Sequence, residues 1–466
     1  MKTNTVAILD DNQSIQFSEL NDIIGKTAQY YFENGVFSQE NIAILGFNSI
    51  EYVITIFALW KIGAIPVPIN TRLNESEINS IIESSKCSKI ILDRHFAETT
   101  TQIPKMEMAI KYSGNNYKAE IQANENDTAV IIHTSGSSGV PKGVETTNEN
   151  LFQSYLASAN SFNFSQNDIF LASLPFYHIG GFSIINRALL SGGTLVLPKS
   201  LKQDDIVNAL QNYNVSVVSL VPTMMQRIIE SGIKPNSNLK CLFLGGGASS
   251  DELIATALKE KWKIVKVYGS SETTAMVTAC WNEELRNNPK SAGKPLLGVE
   301  IKIFDENYNS VEVGKVGEIA IKSKTIAKGY ANLDELWKQK MHDGFYLSGD
   351  FGYLDETGKL FVVARRTDLI VSGGENIDPR EIEIILNAHP KISESYIFPI
   401  EDKIWGEIAV ALIVSNSNLL TENDIFEYLR LKIASYKIPK RIKFVSEIPK
   451  TELGKIKIDE AKQHFI

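Results

Sequence analysis

The stretch TSGSSGVPKG, residues 134–143, directly follows an apolar run, TAVII at 128–132, that predicts a buried strand. Glycines let a backbone wrap closely around an anion, while hydroxyl and ammonium groups donate to phosphate oxygens. The sequence therefore predicts a phosphate-binding loop. The residues expected to take part are Thr134, Ser135, Gly136, Ser137, Ser138, Gly139 and Lys142.

This loop differs from the Walker A loop of P-loop ATPases, GxxxxGK[ST], at two positions. Counted from Gly136, Pro141 stands where the second glycine belongs, and Gly143 stands where the magnesium-binding Ser or Thr belongs. An ordinary P-loop ATPase is therefore disfavoured. A flexible Gly/Ser linker is the other interpretation of this composition, but a linker is not expected directly after a buried strand.

The length and composition limit the classes of protein to consider. The 466 residues, 43% of them hydrophobic, exceed the size of one domain of about 100 to 200 residues. We therefore expect at least two domains. The net charge of −8, spread along the chain, provides no basic surface for nucleic acid, so nucleic-acid binding is not expected.

The cysteines and the apolar segments indicate the compartment. Cys87, Cys241 and Cys280 show no metal-ligand spacing and cannot complete a set of disulfides, which favours a reducing compartment. The N-terminal stretch MKTNTVAILDD lacks the apolar core of a signal peptide, and the longest apolar stretch, 52–60, is interrupted by Thr55. We expect a cytoplasmic protein without an integral membrane segment.

The order of predicted elements indicates the fold class. Between about residues 41 and 269, short apolar runs alternate with helical patterns, such as the amphipathic run 50–62 closed by Gly63 and a helix started by Asn74 with Glu77. This βαβ rhythm predicts an α/β fold with parallel sheets covered by helices, in two βα-layered subdomains. Ligands of such sheets bind at the carboxyl ends of the strands.

The pattern of predicted strands and helices changes twice in the rest of the chain. From about Leu296, short β-like runs with Gly and Asp turns predict a small antiparallel subdomain. From about residue 368, a glycine pair before a helix, alternating strands and a helix opened by Thr421 predict a small α+β domain. We therefore expect a large N-terminal domain, 1–366, and a small C-terminal domain, 367–466.

Three further strings combine small and polar residues next to predicted strands. GGGASS at 245–250 lets a planar ring approach the backbone, and YGSSET at 268–273 offers an aromatic face, hydroxyls and a carboxylate for Mg²⁺. SGD at 348–350, interpreted as the end of a strand, supplies a carboxylate that can accept both hydroxyls of a ribose. Taken singly, Glu272 is equally well explained as a solvated turn carboxylate, and a turn is the more usual place for Asp350.

Basic residues near the domain boundary and near the end of the chain are further candidates. Arg365 and Arg366 lie at the boundary between the two predicted domains, and Lys455 follows a glycine turn in PKTELGK. Charged residues at a boundary usually face water, and a surface lysine is ordinary. Neither position indicates a function by itself.

Together these strings resemble the adenylate-forming acyl-CoA synthetase family from about residue 15 to the end. TSGSSGVPKG, YGSSET, YLSGD, ARRTD, SGGENI and PKTELGK occur in the order and at the spacing of that family. The resemblance implies an enzyme that uses ATP, Mg²⁺ and CoA to activate a small-molecule carboxylic acid, first as an acyl-adenylate and then as a thioester. Ser137, Ser138 and Ser271 stand where threonine is commonest, and they keep the hydroxyl.

The resemblance also implies a role for each matching residue. The residues expected to bind the nucleotide, besides the phosphate loop, are Gly245, Gly246, Gly247, Ala248, Tyr268, Gly269, Ser271, Asp350 and Arg365. Those expected to contact the acid are His178, Arg187, Gly246 and Thr273. Those expected to act in catalysis are Thr134, His178, Lys455 and Glu272, the last as the Mg²⁺ ligand. The C-terminal domain is expected to swing about a hinge at Thr367 and to bring Gly373 and Gly374 to the acyl site for the CoA thiol.

Within the family, the chain is most similar to the branch that ligates o-succinylbenzoate, an aromatic dicarboxylate, to CoA in menaquinone biosynthesis. The similar strings include INTRL at 69–73, LPFYHIGGFSIINR at 174–187, SAGKPL at 291–296 and YKIPK at 436–440. Arg187 stands in an otherwise almost apolar stretch, so we expect its guanidinium to enter a pocket or to meet a buried acid. In a pocket it would bind the second carboxylate of such a substrate; a structural ion pair with an Asp or Glu is the alternative.

A ligase that joins another aryl or medium-chain acid to CoA remains open within the family, and three functions of other classes also remain open from the sequence. The chain could load a carrier protein instead of CoA, oxygenate its adenylate as luciferases do, or bind a nucleotide without turnover. The last is disfavoured because Asp350, Glu272 and Lys455 are all present. A homodimer remains open as the assembly.

Overall fold

A computed structural model describes residues 5–118, 124–134, 141–247, 249–364, 369–417, 419–449 and 456–465. The helices, numbered along the chain, are α1 Phe17–Glu33, α2 Ile50–Ile62, α3 Glu75–Ser84, α4 Asn148–Phe162, α5 Ile179–Leu190, α6 Gln203–Asn212, α7 Pro222–Glu230, α8 Asp251–Lys259, α9 Asn282–Asn287, α10 Asp334–Lys338, α11 Pro379–Asn387, α12 Glu422–Arg430 and α13 Ile458–Gln463. The strands are β1 Val6–Leu9, β2 Ser14–Gln16, β3 Asn41–Leu45, β4 Ile65–Pro68, β5 Lys89–Leu92, β6 Lys105–Glu107, β7 Thr128–Thr134, β8 Lys142–Thr147, β9 Ile169–Leu171, β10 Thr194–Val196, β11 Val217–Leu220, β12 Cys241–Leu244, β13 Ile264–Ser270, β14 Ala275–Trp281, β15 Lys294–Pro295, β16 Val299–Phe304, β17 Gly317–Ser323, β18 Gly329–Tyr330, β19 Met341–His342, β20 Phe345–Leu354, β21 Leu360–Ala364, β22 Ile370–Ser372, β23 Glu375–Ile377, β24 Ile392–Asp402, β25 Gly406–Ser415 and β26 Arg441–Phe444.

The chain divides into two compact units. The first consists of Met1–Thr71, Ile82–His133 and Gly143–Arg366. The second consists of Arg72–Ile81, Thr134–Lys142 and Thr367–Ile466. None of the helices within the described ranges is long and apolar enough to cross a membrane.

Two sheets of the first unit follow the predicted βαβ rhythm. One has the order β4-β3-β5-β6 and is parallel throughout. The other has the order β15-β14-β13-β12-β11-β9-β10-β1-β2, with parallel inner strands. The expectation of parallel sheets holds for these inner strands, whereas β2, β14 and β15 at the edges pair antiparallel. For β2 and β14 the physical reason is the short connection from the preceding strand, which allows a hairpin but leaves no room for a crossover helix.

Local sequence signals determine where several helices begin and end. In α2, the Ser49 side chain accepts a hydrogen bond from the Tyr52 backbone N–H, and Gly63 ends the helix with φ at +83°. In α3, Asn74 and Glu77 cap each other's backbone at 2.9 and 3.1 Å, as the capping-box pattern predicts. The expected amphipathic face of α2 is not observed, because the helix is buried on almost every side.

The region after Leu296 forms the predicted antiparallel subdomain of the first unit. Its strands have the order β16-β17-β20-β19, and β21 pairs with β20. A further small sheet has the order β18-β8-β7, so a strand of this region pairs with β8, the strand that follows the phosphate loop.

The second unit contains an α+β arrangement. Strands in the order β23-β22-β25-β24, with β26 parallel to β25, pack their apolar side chains against α11 and α12. Thr421 and Asp424 form a capping box at α12. Gly373 and Gly374, with φ at +60° and +88°, form the two-residue turn of the β22–β23 hairpin. The glycine pair thus precedes a helix, α11, as predicted, with the short strand β23 between them.

Candidate active site

Some of the predicted site residues lie outside the described residues. They are Ser135, Gly136, Ser137, Ser138, Gly139, Ala248, Arg365, Thr367 and Lys455. The described ends of the phosphate loop are Thr134, the last residue of β7, and Lys142, the first residue of β8. Lys142 is buried, which is unusual for a lysine and indicates a specific environment for its ammonium group.

The ends of two parallel strands place glycines and an aromatic residue at one edge of the large sheet. Gly245, Gly246 and Gly247 follow β12 directly, and Tyr268 lies near the end of the neighbouring strand β13. A Cβ atom on Gly245 would lie 2.7 Å from Val267 Cγ2, and Gly246 has φ at +74°. Both positions therefore require glycine, as the sequence predicted for a strand end that a ring approaches.

A tight turn between β13 and β14 fixes the YGSSET string. Gly269 lies at a bulge, and a Cβ atom there would lie 1.8 Å from the Ala275 carbonyl oxygen. The Thr273 hydroxyl accepts from the Ser270 N–H at 2.8 Å and donates to the Ala275 carbonyl at 2.8 Å. The buried Thr273 side chain thus holds the turn closed, and the turn presents the partly exposed Ser271 and Glu272.

A second bulge brings Asp350 to Tyr268. Strand β20 runs on to Leu354, so the expectation that SGD ends a strand is wrong. Instead the register against β17 shifts between Glu318 and Ala320, opposite Ser348–Asp350, and Gly349 has φ at +78°. A bulge re-aims a side chain without ending the strand. The Tyr268 hydroxyl donates to Asp350 Oδ2 at 2.8 Å, which joins the predicted ring-stacking and ribose-binding residues into one group.

Glu272 has a partner that the sequence gave no reason to expect. The Tyr330 hydroxyl, on β18, donates to Glu272 Oε1 at 2.8 Å. Within the described ranges no group of three or more His, Cys, Asp and Glu side chains could hold a metal ion. A single carboxylate nevertheless fits Mg²⁺, which is commonly held by one or two carboxylates together with substrate phosphates and waters.

Helix α5 and its N-cap position carry two of the four residues predicted to contact the acid. His178 occupies the N-cap position, and its ring lies 4.7 Å from that of Tyr177. Arg187 lies towards the other end of the helix and is only 4% exposed. The guanidinium donates through Nη2 to Ser219 Oγ at 3.4 Å and lies 5.4 Å from the Phe243 ring.

No acidic group balances the charge of Arg187 in the part of the chain that the structure describes. Its Nε atom is buried and has no hydrogen-bond partner there, and no carboxylate forms an ion pair with it. Burial lowers the pKa of Arg187 to about 10, so the guanidinium stays charged at neutral pH. The expected alternative, a structural ion pair, is therefore not found among the described residues. The sequence signal for its partner Ser219 was one of two serine hydroxyls in the buried run VSVVSLVP.

The parallel strand ends, the two bulges and the carboxylate–tyrosine pairs define a nucleotide-binding α/β enzyme. The chain belongs to the AMP-binding enzyme family, whose main domain matches residues 1–331 and whose C-terminal domain matches residues 381–455. The family, the α/β fold class and the order of a large N-terminal and a small C-terminal domain are thus confirmed.

Relatives of known activity cover almost the whole chain. The 2-succinylbenzoate–CoA ligase of Bacillus licheniformis is 32% identical over 456 residues, which are 97% of this chain and 95% of the relative. An o-succinylbenzoate CoA synthetase of Bacillus subtilis, a double mutant bound with the product analogue OSB-NCoA, has a TM-score of 0.92 at 28% identity and covers 99% of this chain and 96% of its own. The same synthetase in complex with ATP and magnesium has a TM-score of 0.76 at 28% identity, covering 99% and 97%.

Proposed function

We propose that the chain ligates o-succinylbenzoate to CoA, with conversion of ATP to AMP and pyrophosphate. The similarity to 2-succinylbenzoate–CoA ligases over 97% of the chain supports this reaction. The observation that carries the choice of a dicarboxylate is the buried guanidinium of Arg187, which lacks an acidic partner among the described side chains. A buried charge is strongly destabilising unless it is paired, so a substrate carboxylate is the natural counter-charge.

In the first step, a substrate carboxylate oxygen attacks the α-phosphorus of ATP. The new bond from carboxylate oxygen to phosphorus forms as the bond to pyrophosphate breaks, which gives the acyl-adenylate. No covalent enzyme intermediate is needed, so the protein acts by positioning and by stabilising charge. We assign donors to the phosphates at Thr134 and Ser271, and a contact of Lys455 with the α-phosphate and the carboxylate.

The nucleotide is held by groups that the two bulges bring together. We propose that the adenine lies between the Tyr268 ring and the glycines 245–247, next to Ala248, and that Asp350 accepts the ribose hydroxyls. The Tyr268 hydroxyl donates to one oxygen of Asp350 and thereby fixes the orientation in which the carboxylate would meet the ribose. Arg365 is assigned to the nucleotide as well. Glu272 would hold Mg²⁺, which when bound neutralises phosphate charge.

In the second step, the CoA thiol attacks the acyl carbon and displaces AMP. The thiol loses its proton, the new C–S bond forms, and the bond from the acyl carbon to the phosphate oxygen breaks. We propose that the C-terminal domain, 367–466, turns about Thr367 between the steps and that the hairpin turn of Gly373 and Gly374 lines the path of the thiol. His178 at the start of α5 is assigned to the acyl site.

The reaction is tested by product analysis of the purified protein. With o-succinylbenzoate, MgATP and CoA, we expect o-succinylbenzoyl-CoA and AMP in equal amounts by chromatography and mass spectrometry. Benzoate is the control substrate without a second carboxylate, and a phosphopantetheinyl carrier protein replaces CoA in a parallel reaction. Absence of the thioester, or formation of it on the carrier protein alone, would contradict the proposal.

Two further properties are proposed from the chain as a whole. Cys87, Cys241 and Cys280 are all free and buried, which supports the proposal of a reducing, cytoplasmic compartment. A homodimer is proposed as the assembly. Sedimentation of the purified protein at micromolar concentration tests the dimer, and a single species of 51.8 kDa would contradict it.

A further inference from the structure

We propose that Tyr330 is a positioning residue, which holds the Glu272 carboxylate in the orientation that binds the cation, with Tyr346 behind it. This inference rests on the proposed function, in which Glu272 is the Mg²⁺ ligand. The Tyr330 hydroxyl lies 2.8 Å from Glu272 Oε1, and its side chain is 4% exposed. An ionised carboxylate accepts hydrogen bonds only, so Tyr330 is the donor.

The Tyr330 ring is held on several sides. Its backbone pairs with Val144 of β8, the strand that follows the phosphate loop. Its ring meets the Trp337 ring edge to face, at 5.1 Å and 87°, and the other partner of Trp337 is Tyr346, stacked at 5.4 Å and 20°. Such aromatic pairs restrict both rings, so the hydroxyl of Tyr330 points at Glu272 without a large entropy cost.

Tyr346 packs behind this pair of residues, stacked on the Trp337 ring that also contacts Tyr330. It is 3% exposed, and burial raises its pKa well above the usual value, with the nearby Glu272 charge adding to the shift. Tyr346 therefore stays neutral and adds no second charge beside the Glu272 carboxylate.

The same segment also anchors the Glu272 backbone. The Ala327 N–H donates to the Glu272 carbonyl at 2.8 Å, three residues before Tyr330. Glu272 Oε2 has no hydrogen-bond partner among the described residues, so one oxygen is held by Tyr330 and the other is available to a cation. Outer partners of metal ligands typically change metal affinity by about 10- to 100-fold when they are removed.

The test removes one hydroxyl and measures cation binding directly. In Tyr330→Phe, we expect the affinity of the protein–ATP complex for Mn²⁺, followed by electron paramagnetic resonance, to fall by about 10- to 100-fold. The Mg²⁺ concentration for half-maximal pyrophosphate exchange should rise by the same factor, with most of kcat recovered at saturating Mg²⁺. Tyr353→Phe is the matched control: its ring stacks on Phe361 in the same subdomain, and its hydroxyl has no hydrogen bond among the described residues.

A Glu272→Gln variant separates this inference from the proposed function. If Glu272→Gln weakens Mn²⁺ binding and Tyr330→Phe leaves it unchanged, the positioning role of Tyr330 is wrong while the role of Glu272 stands. If neither variant changes Mn²⁺ binding, the proposed metal role of Glu272 fails. A loss of activity in Tyr330→Phe that is equal at all Mg²⁺ concentrations and accompanied by a lower Tm would show a structural role and would also overturn the inference.

Discussion

Replacing Arg187 with leucine tests whether the buried guanidinium binds the second carboxylate of the substrate. Among the described residues, its contacts are the Ser219 hydroxyl and the Phe243 ring, and no acidic side chain pairs with it. Burial lowers its pKa to about 10, which still leaves it charged at neutral pH. We therefore expect a carboxylate of the substrate to compensate the positive charge of the Arg187 guanidinium.

The expected magnitude follows from the loss of one charge-assisted hydrogen bond. Such a bond contributes roughly 1.5 to 3 kcal/mol, which corresponds to about 10- to 150-fold in kcat/KM. Stability should respond differently from activity. Replacing a buried charge by an apolar residue of similar size is often neutral or stabilising, so the Tm of Arg187→Leu should be unchanged or higher.

The assay compares two substrates on the wild type and on two variants. Arg187→Leu should lose about 10- to 150-fold in kcat/KM with o-succinylbenzoate and little with benzoate, which has no second carboxylate. Arg187→Lys keeps the charge but not the planar guanidinium, so its loss with the dicarboxylate should be smaller. Equal losses of Arg187→Leu on both substrates, together with a lower Tm, would refute the reasoning and indicate a structural role for the guanidinium.

Three further perturbations test individual features of the site. Tyr268→Phe removes the hydroxyl that donates to Asp350, so the KM for ATP in pyrophosphate exchange should rise about tenfold or more; an unchanged KM would contradict the pairing. Gly269→Ala places a methyl group 1.8 Å from a backbone carbonyl oxygen and should lower the Tm strongly, while Gly329→Ala, with its nearest atom at 3.9 Å, should not. Burial lowers the pKa of His133 to about 4 from 6.5, so the folded state binds fewer protons than the unfolded state between these values. Stability should therefore be lost as the pH falls from 6.5 towards 4, by about 2 kcal/mol at pH 5 in urea unfolding, and this loss should be absent in His133→Phe.

The parts of the fold that sequence predicted well depend on local signals. The limits of α2, from Ser49 to Gly63, follow from a capping side chain and from a glycine that adopts positive φ. The Asn74–Glu77 capping box is equally local. The strand ends near Gly245 and Tyr268 were predictable because buried strands are continuous apolar runs and parallel neighbours end at the same edge of a sheet.

The strand around Asp350 shows why a local pattern can mislead. A Ser-Gly-Asp string favours a turn, and in isolation the strand would end there. The neighbouring β17 and β21 keep β20 paired on both sides, and Gly349 at φ +78° absorbs the extra residues as a bulge. The side chain still reaches a nucleotide site, although for a different structural reason from the one predicted.

The residues that sequence analysis missed are joined to the site by long-range contacts. Tyr330 lies 58 residues after Glu272, and Ser219 lies 32 residues after Arg187. Neither separation corresponds to a helical or strand period, and a single tyrosine or serine carries no motif. Such partners can be identified only from the three-dimensional fold, in which β18 pairs with β8 and β11 packs against α5.

The most direct test of the central claim is ATP–pyrophosphate exchange in the absence of CoA. An enzyme that forms an acyl-adenylate before the thioester should incorporate labelled pyrophosphate into ATP when o-succinylbenzoate and Mg²⁺ are present, and should do so far more slowly with benzoate. Addition of CoA should then convert the acyl-adenylate into the thioester and AMP. Exchange that requires CoA, exchange that is independent of the acid, or release of ADP instead of AMP would contradict the account.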